Sequence, residues 1–151
     1  MGWVSYAVNK KDKRVVVVGG HEDGVAFRRC GNKHYEKKTL EIGSLLANVE
    51  GIILDIGAHT GIYSLIANKF LKKGAVLSFE PHFLNFSRLN LNLRANEFST
   101  GTIFMNAVGE KNELLPFSVN KNLDMLTSGG RIGKVTNQIS KPVQTIAIDT
   151  F

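Results

Sequence analysis

Two glycines four residues apart, set between a short apolar run and an amphipathic stretch, constrain this chain more than any other feature. Residues 52–56, Ile-Ile-Leu-Asp-Ile, are almost continuously apolar, as suits a parallel strand buried on both faces. Residues 57–61 follow as a turn opened by Gly57 and closed by Gly61. Ile62, Leu65, Ile66 and Phe70 then share one face of a helix. A strand running through a tight glycine turn into a helix brings backbone close to a ligand and points free N–H groups at it.

The neighbouring sequence repeats the alternation. Gly74 closes the helix, residues 75–79 read as a second buried strand, and Glu80-Pro81 ends it. Residues 82–96 fit a strand in Leu89-Asn90-Leu91-Asn92-Leu93 and a helix in Phe86, Leu89 and Leu93. Helix is the better reading, because parallel strands need a crossover and Pro81 suits a helix start. Residues 102–108 read as a third strand. The order β-α-β-α-β over residues 52–108 predicts an α/β fold with a doubly wound parallel sheet.

Upstream, Arg14 to Val18 reads as a strand, residues 19–24 as a turn and residues 25–29 as the return strand of a hairpin. Ile42, Leu45, Leu46 and Val49 fall at i, i+3, i+4, i+7, predicting one apolar face of a helix that Gly51 ends. Downstream, residues 114–119 resemble an edge strand because of Pro116, residues 121–134 a Gly-rich loop, and residues 143–148 a last strand. The organisation expected is a lead-in of residues 1–50 followed by the first part of a ligand-binding domain at 51–151.

Glu80 lies 19 residues beyond Gly61. An acid at that strand end is placed to accept hydrogen bonds from both hydroxyls of an adenosine ribose. A solvated strand-end glutamate is the plainer alternative. Dinucleotides usually want Gly-x-Gly-x-x-Gly, and His59 stands where that frame needs glycine. S-adenosyl-L-methionine has no pyrophosphate to seat, so the looser turn suffices for it. Asp55 would then stand near the ammonium end of that cofactor, through water or backbone.

Four segments carry a more specific likeness: Asp55-Ile-Gly-Ala-His-Thr-Gly, Phe79-Glu80-Pro81-His82, the Asn90 to Asn96 spacing, and Asn106-Ala107-Val108-Gly109. Together, in this order, they resemble the FkbM family of methyltransferases. The Gly19-Gly20 hairpin, residues 35–46 and residues 143–149 resemble that family's flanking segments. The resemblance implies a Rossmann-like class I methyltransferase fold, with S-adenosyl-L-methionine as cofactor. It also implies methyl transfer to a hydroxyl oxygen of a sugar or natural product. Its cofactor-binding residues would be Asp55, Gly57, Ala58, His59, Gly61, Glu80, Pro81, Asn106 and Ala107. The family more often has Asn at the place of His59. Nothing here matches its later Lys-Ile-Asp-x-Glu-Gly-like strand, so the C-terminal strands are expected to be missing. In that case the free side of the 52–56 strand would be open to self-association. A non-catalytic half-domain that binds an adenosine ligand or a partner chain therefore stands as an alternative.

The net charge of +6 is concentrated ahead of the motifs: residues 1–40 hold nine Lys and Arg against four acids. An RNA methyltransferase is the reading this charge would support. No aromatic-interleaved basic stripe accompanies it, and a solvated basic hairpin explains it better than a nucleic-acid surface. With 43% hydrophobic and 21% charged residues, the chain can fill a core. Its apolar runs are too short for a membrane span, and no leader is expected at the N-terminus. The lone Cys30 suits a reducing cytoplasm. His21, His34, His59 and His82 are the histidines, and none is assigned as a catalytic base. No Cys/His/Asp cluster has metal-ligand spacing.

Overall fold

A computed structural model describes residues 3–7, 14–18, 37–99, 102–120 and 129–150. In chain order the elements are β1 (Trp3–Ala7), β2 (Arg14–Val18), α1 (Lys37–Leu46), β3 (Glu50–Ile56), α2 (Ile62–Phe70) and β4 (Lys73–Phe79). There follow α3 (Phe83–Ala95), β5 (Ile103–Phe104), β6 (Ala107–Val108), β7 (Leu114–Asn120), β8 (Arg131–Ile132) and β9 (Gln138–Ile146). The chain is thus mixed α/β with a parallel sheet, and β3, β4 and β5 lie in that order.

The β3–α2–β4–α3–β5 succession matches the alternation in the sequence. Ile53 of β3 and Val76 of β4 are register partners, and both pack with Ala67 of α2. On the other face Ile52, Leu54 and Ile56 remain 68%, 40% and 57% exposed. β3 is the end strand of its sheet among the described residues. The apolar run is therefore covered on one face and open on the other. Gly51 does not end the preceding helix as expected. It sits within β3 opposite Gly74 of β4, and a Cβ on Gly74 would come 1.8 Å from the Gly51 carbonyl oxygen. The pair are glycines because the two backbones meet there.

Helix α1 corrects the periodicity reading. Ile42, Leu45, Leu46 and Val49 are all exposed, while Ser44 and Ala47 are buried. The helix turns its small residues inward, and the Ser44 hydroxyl is satisfied by the Glu41 carbonyl at 2.8 Å.

The β2 strand was expected to pair with residues 25–29, which lie outside the described residues; its observed partner is β1, antiparallel. Val15 and Val17 join Leu65, Ile66, Leu89 and Leu93 in one buried cluster. Asn96 fixes this docking. Its Oδ1 accepts from the Val16 N–H and its Nδ2 donates to the Val16 carbonyl, both at 2.7 Å. The side chain thus stands in for a neighbouring strand at the end of α3.

The expected third strand divides. β5 pairs with β4, whereas β6 pairs with β9, and Met105-Asn106 lies between them. β7 is not an edge strand: it lies between β9 and β8. Pro116 is accommodated because its nitrogen faces the β8 side, where Gly133 donates to the Pro116 carbonyl at 2.7 Å and the Ser118 hydroxyl donates to the Gly133 carbonyl at 2.6 Å, in place of the N–H that proline lacks. β8 falls inside the stretch read as loop. No helix among the described residues is long and apolar enough to cross a membrane.

Candidate functional site

The turn after β3 folds over the end of β4. Gly57 and Ala58 donate their N–H groups to the Phe79 carbonyl at 2.9 and 3.0 Å. Gly57, His59 and Gly61 all have positive φ, at 76°, 52° and 91°. Gly61 is required for a second reason, since a Cβ there would lie 2.4 Å from Leu89 Cδ1 of α3. At Gly57 a Cβ would meet nothing within 4 Å, and this residue lines a cavity. The absent side chain leaves room for a ligand.

Glu80 organises the opposite wall. It is 5% exposed. Its Oε2 accepts the His59 N–H at 2.8 Å. Its Oε1 accepts the His82 N–H at 2.9 Å and the Asn85 Nδ2 at 3.3 Å. The left-handed backbone of His59 turns its N–H towards this carboxylate. One acid thereby ties the glycine turn to the start of α3. These bonds use three of the roughly four lone-pair sites a carboxylate offers.

The cavity between turn and acid has a volume of about 330 Å³. Among the residues singled out in the sequence, Gly57, His59, Glu80, Pro81, Asn106 and Ala107 line it. Asn106 is held by a bond from its Nδ2 to the Gln144 carbonyl at 3.2 Å. Asp55, Ala58 and Gly61 lie behind the turn, outside this lining. Asp55 accepts the Ser64 hydroxyl, and Ser64 is within 2.8 Å of the Ser78 hydroxyl. Burial pushes the Asp55 carboxyl above its ordinary pKa, against the lowering effect of Ser64. Nearby Glu80 adds to the rise.

Three contributors escaped the sequence reading. Asn85, in the first turn of α3, is 2% exposed and holds Glu80. Phe117 and the Gly130-Arg131-Ile132 segment close the cavity from the β7–β8 side. A Cβ on Gly130 would come 2.3 Å from Phe117 Cζ, so bare backbone packs against that ring. The alternation of Leu115, Phe117 and Val119 was the one available signal for Phe117. The short β8 strand left none.

A parallel sheet whose first strand ends in a glycine turn, with an acid capping the next strand, defines an α/β domain with a cofactor-sized cleft at its strand ends. The family model for the methyltransferase FkbM domain matches residues 55–151. The chain belongs to that family, and it carries a methyltransferase domain. Searches of curated proteins and of solved structures gave no match.

Proposed function

We propose that the chain binds S-adenosyl-L-methionine in the cavity between the Gly57 turn and Glu80, for methyl transfer to a hydroxyl oxygen of a sugar or natural product. The observation that carries this reading is Glu80. It is a buried carboxylate, oriented by three donors, with acceptor capacity left over at the cavity wall. That acceptor fits a ribose hydroxyl better than a phosphate, which a carboxylate would repel. Gly57 gives the space that a bulky substituent needs.

S-adenosyl-L-methionine supplies an electrophilic methyl group on a sulfonium sulfur. The residues of this chain bind and orient it. Through its one remaining site Glu80 would accept from a ribose hydroxyl. Pro81, Asn106, Ala107 and Phe117 would enclose the adenine end. Gly57 and His59 would present backbone to the amino-acid end. Asp55 would act from behind, holding α2 to the end of β3 through Ser64. Alignment of the methyl group with its acceptor supplies much of the rate in such a displacement. No side chain is assigned as the base. The acceptor class rests on the family.

Calorimetric titration tests the reading. S-adenosyl-L-homocysteine should bind with one-to-one stoichiometry and more tightly than NAD. Equal or tighter binding of NAD would overturn it. Binding of the nucleoside with no methyl transfer to any hydroxyl acceptor would favour the non-catalytic alternative.

A further inference from the structure

Two carboxylates border the cavity beside the glycine turn, and among the described residues neither has a cation for a partner. Glu80 lines the cavity and is 5% exposed. Its partners, the His59 and His82 N–H groups and the Asn85 amide, are neutral dipoles. Asp55 stands one residue before the lining, which takes in Ile56 and Gly57. Its Oδ2 accepts the Ser64 hydroxyl of α2, and Ser64 meets Ser78 of β4, the register partner of Asp55. Ser64 and Ser78 are fully buried, and hydroxyls orient a carboxylate without cancelling its charge. Arg131 also lines the cavity, from an exposed position, where solvent screens its charge.

We propose that this unpaired acidic pair makes the site select the cationic methyl donor over its neutral product, with Asp55 as the residue that sets the preference. The proposal rests on the cofactor reading. S-adenosyl-L-methionine and S-adenosyl-L-homocysteine share every hydrogen-bonding nitrogen and oxygen. They differ by one methyl group and the positive charge it gives the sulfur. That sulfur joins the ribose to the amino-acid chain. With the ribose at Glu80 and the amino-acid end at Gly57 and His59, it falls between those anchors, at the ends of β3 and β4. A unit charge about 8 Å from a carboxylate, at an effective dielectric of about 20, gains about ten-fold or more in affinity. Burial, and then the nearby Glu80, push the Asp55 carboxyl above its ordinary pKa, against the Ser64 hydrogen bonds. A bound cation favours the ionised form, so Asp55 releases its proton to solvent as the donor binds. Affinity for the donor therefore rises with pH through the raised pKa of Asp55, and affinity for the product changes less. Ser64 and Ser78, which face Asp55 from α2 and β4, stay neutral throughout. Glu80 and His59 are the titratable groups at the turn, and Asp55→Asn separates its share from theirs.

Calorimetry of the full chain reads the preference directly. At about pH 7.5, S-adenosyl-L-methionine should bind about ten-fold more tightly than S-adenosyl-L-homocysteine, and so should sinefungin, in which an amine replaces the sulfonium. Towards about pH 5 that ratio should shrink. There, enthalpies measured in two buffers of different ionisation enthalpy should show more protons released by the donor than by the product, a count that needs only the parent chain. Asp55→Asn, which keeps an acceptor for Ser64, should cut the ratio at least about three-fold and remove its pH dependence. Equal affinity for donor and product at both pH values, equal proton release, or an unchanged ratio in Asp55→Asn would overturn the proposal and leave the cofactor reading standing. Failure of both nucleosides to bind would overturn the cofactor reading, and the proposal with it.

Discussion

Replacing Glu80 by alanine should do two measurable things, and their sizes follow from its hydrogen bonds. In the free protein the substitution strands the His59 N–H, the His82 N–H and the Asn85 amide, which the carboxylate now accepts at 2.8, 2.9 and 3.3 Å. At about 1 kcal/mol for each net bond, folding stability should fall by about 3 kcal/mol. In the complex it also removes a charged acceptor from the ribose. That loss is about 2–3 kcal/mol, or about 30- to 150-fold in affinity. Glu80→Gln keeps the shape but turns a donor NH2 towards one of the stranded N–H groups. It should lose about 1–2 kcal/mol of stability and most of the affinity. Urea denaturation measures the first effect, and titration with S-adenosyl-L-homocysteine measures the second. Asn85→Ala is the comparison, because it removes one of the three donors to Glu80 and leaves the carboxylate in place. It should cost about 1 kcal/mol of stability and much less affinity. A folded Glu80→Gln variant that bound the nucleoside as tightly as the parent would refute the assignment of the ribose to this carboxylate.

Other substitutions probe the turn and the open sheet. Gly57→Val should weaken nucleoside binding at least about ten-fold by titration, since the side chain enters the cavity from a positive-φ position. His59→Asn should change affinity little, because the backbone N–H makes the bond to Glu80 and Asn tolerates φ near 52° well; loss of binding would give the imidazole a role of its own. Asp55→Asn should raise the melting temperature more at pH 7 than at pH 3. The fold raises the Asp55 pKa above about 3.8, so it favours the protonated carboxyl. The stability this group contributes is fully present below the ordinary value and lost as pH rises through the raised one. We further propose self-association through the free side of β3; Ile52→Lys should shift sedimentation towards monomer, and an unchanged profile would place any contact elsewhere.

How much of this was legible depended on whether a signal was local. The Gly57–Gly61 turn and the end of β4 at Glu80 follow from short-range demands, namely positive φ, close approach and strand length. They stand where the sequence put them. The ambiguity of residues 82–96 was settled correctly by topology, because a parallel β4–β5 pair requires a crossover. The errors came from tertiary choices. α1 and the turn after it bury Ser44 and Ala47 and leave Ile42, Leu45 and Leu46 exposed, which no periodicity rule foresees. Gly51 and Gly74 looked like helix stops, yet they are glycines because β3 and β4 meet there. Pro116 pointed to an edge, and only the fold shows how a paired strand holds it, with the Ser118 hydroxyl serving the Gly133 carbonyl in place of the missing N–H. In the site, the residues on the turn and at the strand ends were readable. Asn85 and Phe117 were not, because their roles arise only when α3 and β7 fold back on Glu80's cavity.

Amide chemical shifts, recorded by NMR while S-adenosyl-L-homocysteine is added to the labelled chain, locate the ligand directly. Saturable shifts should centre on Gly57, His59, Glu80 and Ala107, with the His59 amide among the largest because its proton reports on the Glu80 carboxylate. Shifts confined to other parts of the fold, or none at saturating nucleoside, would contradict a cofactor site between the glycine turn and Glu80.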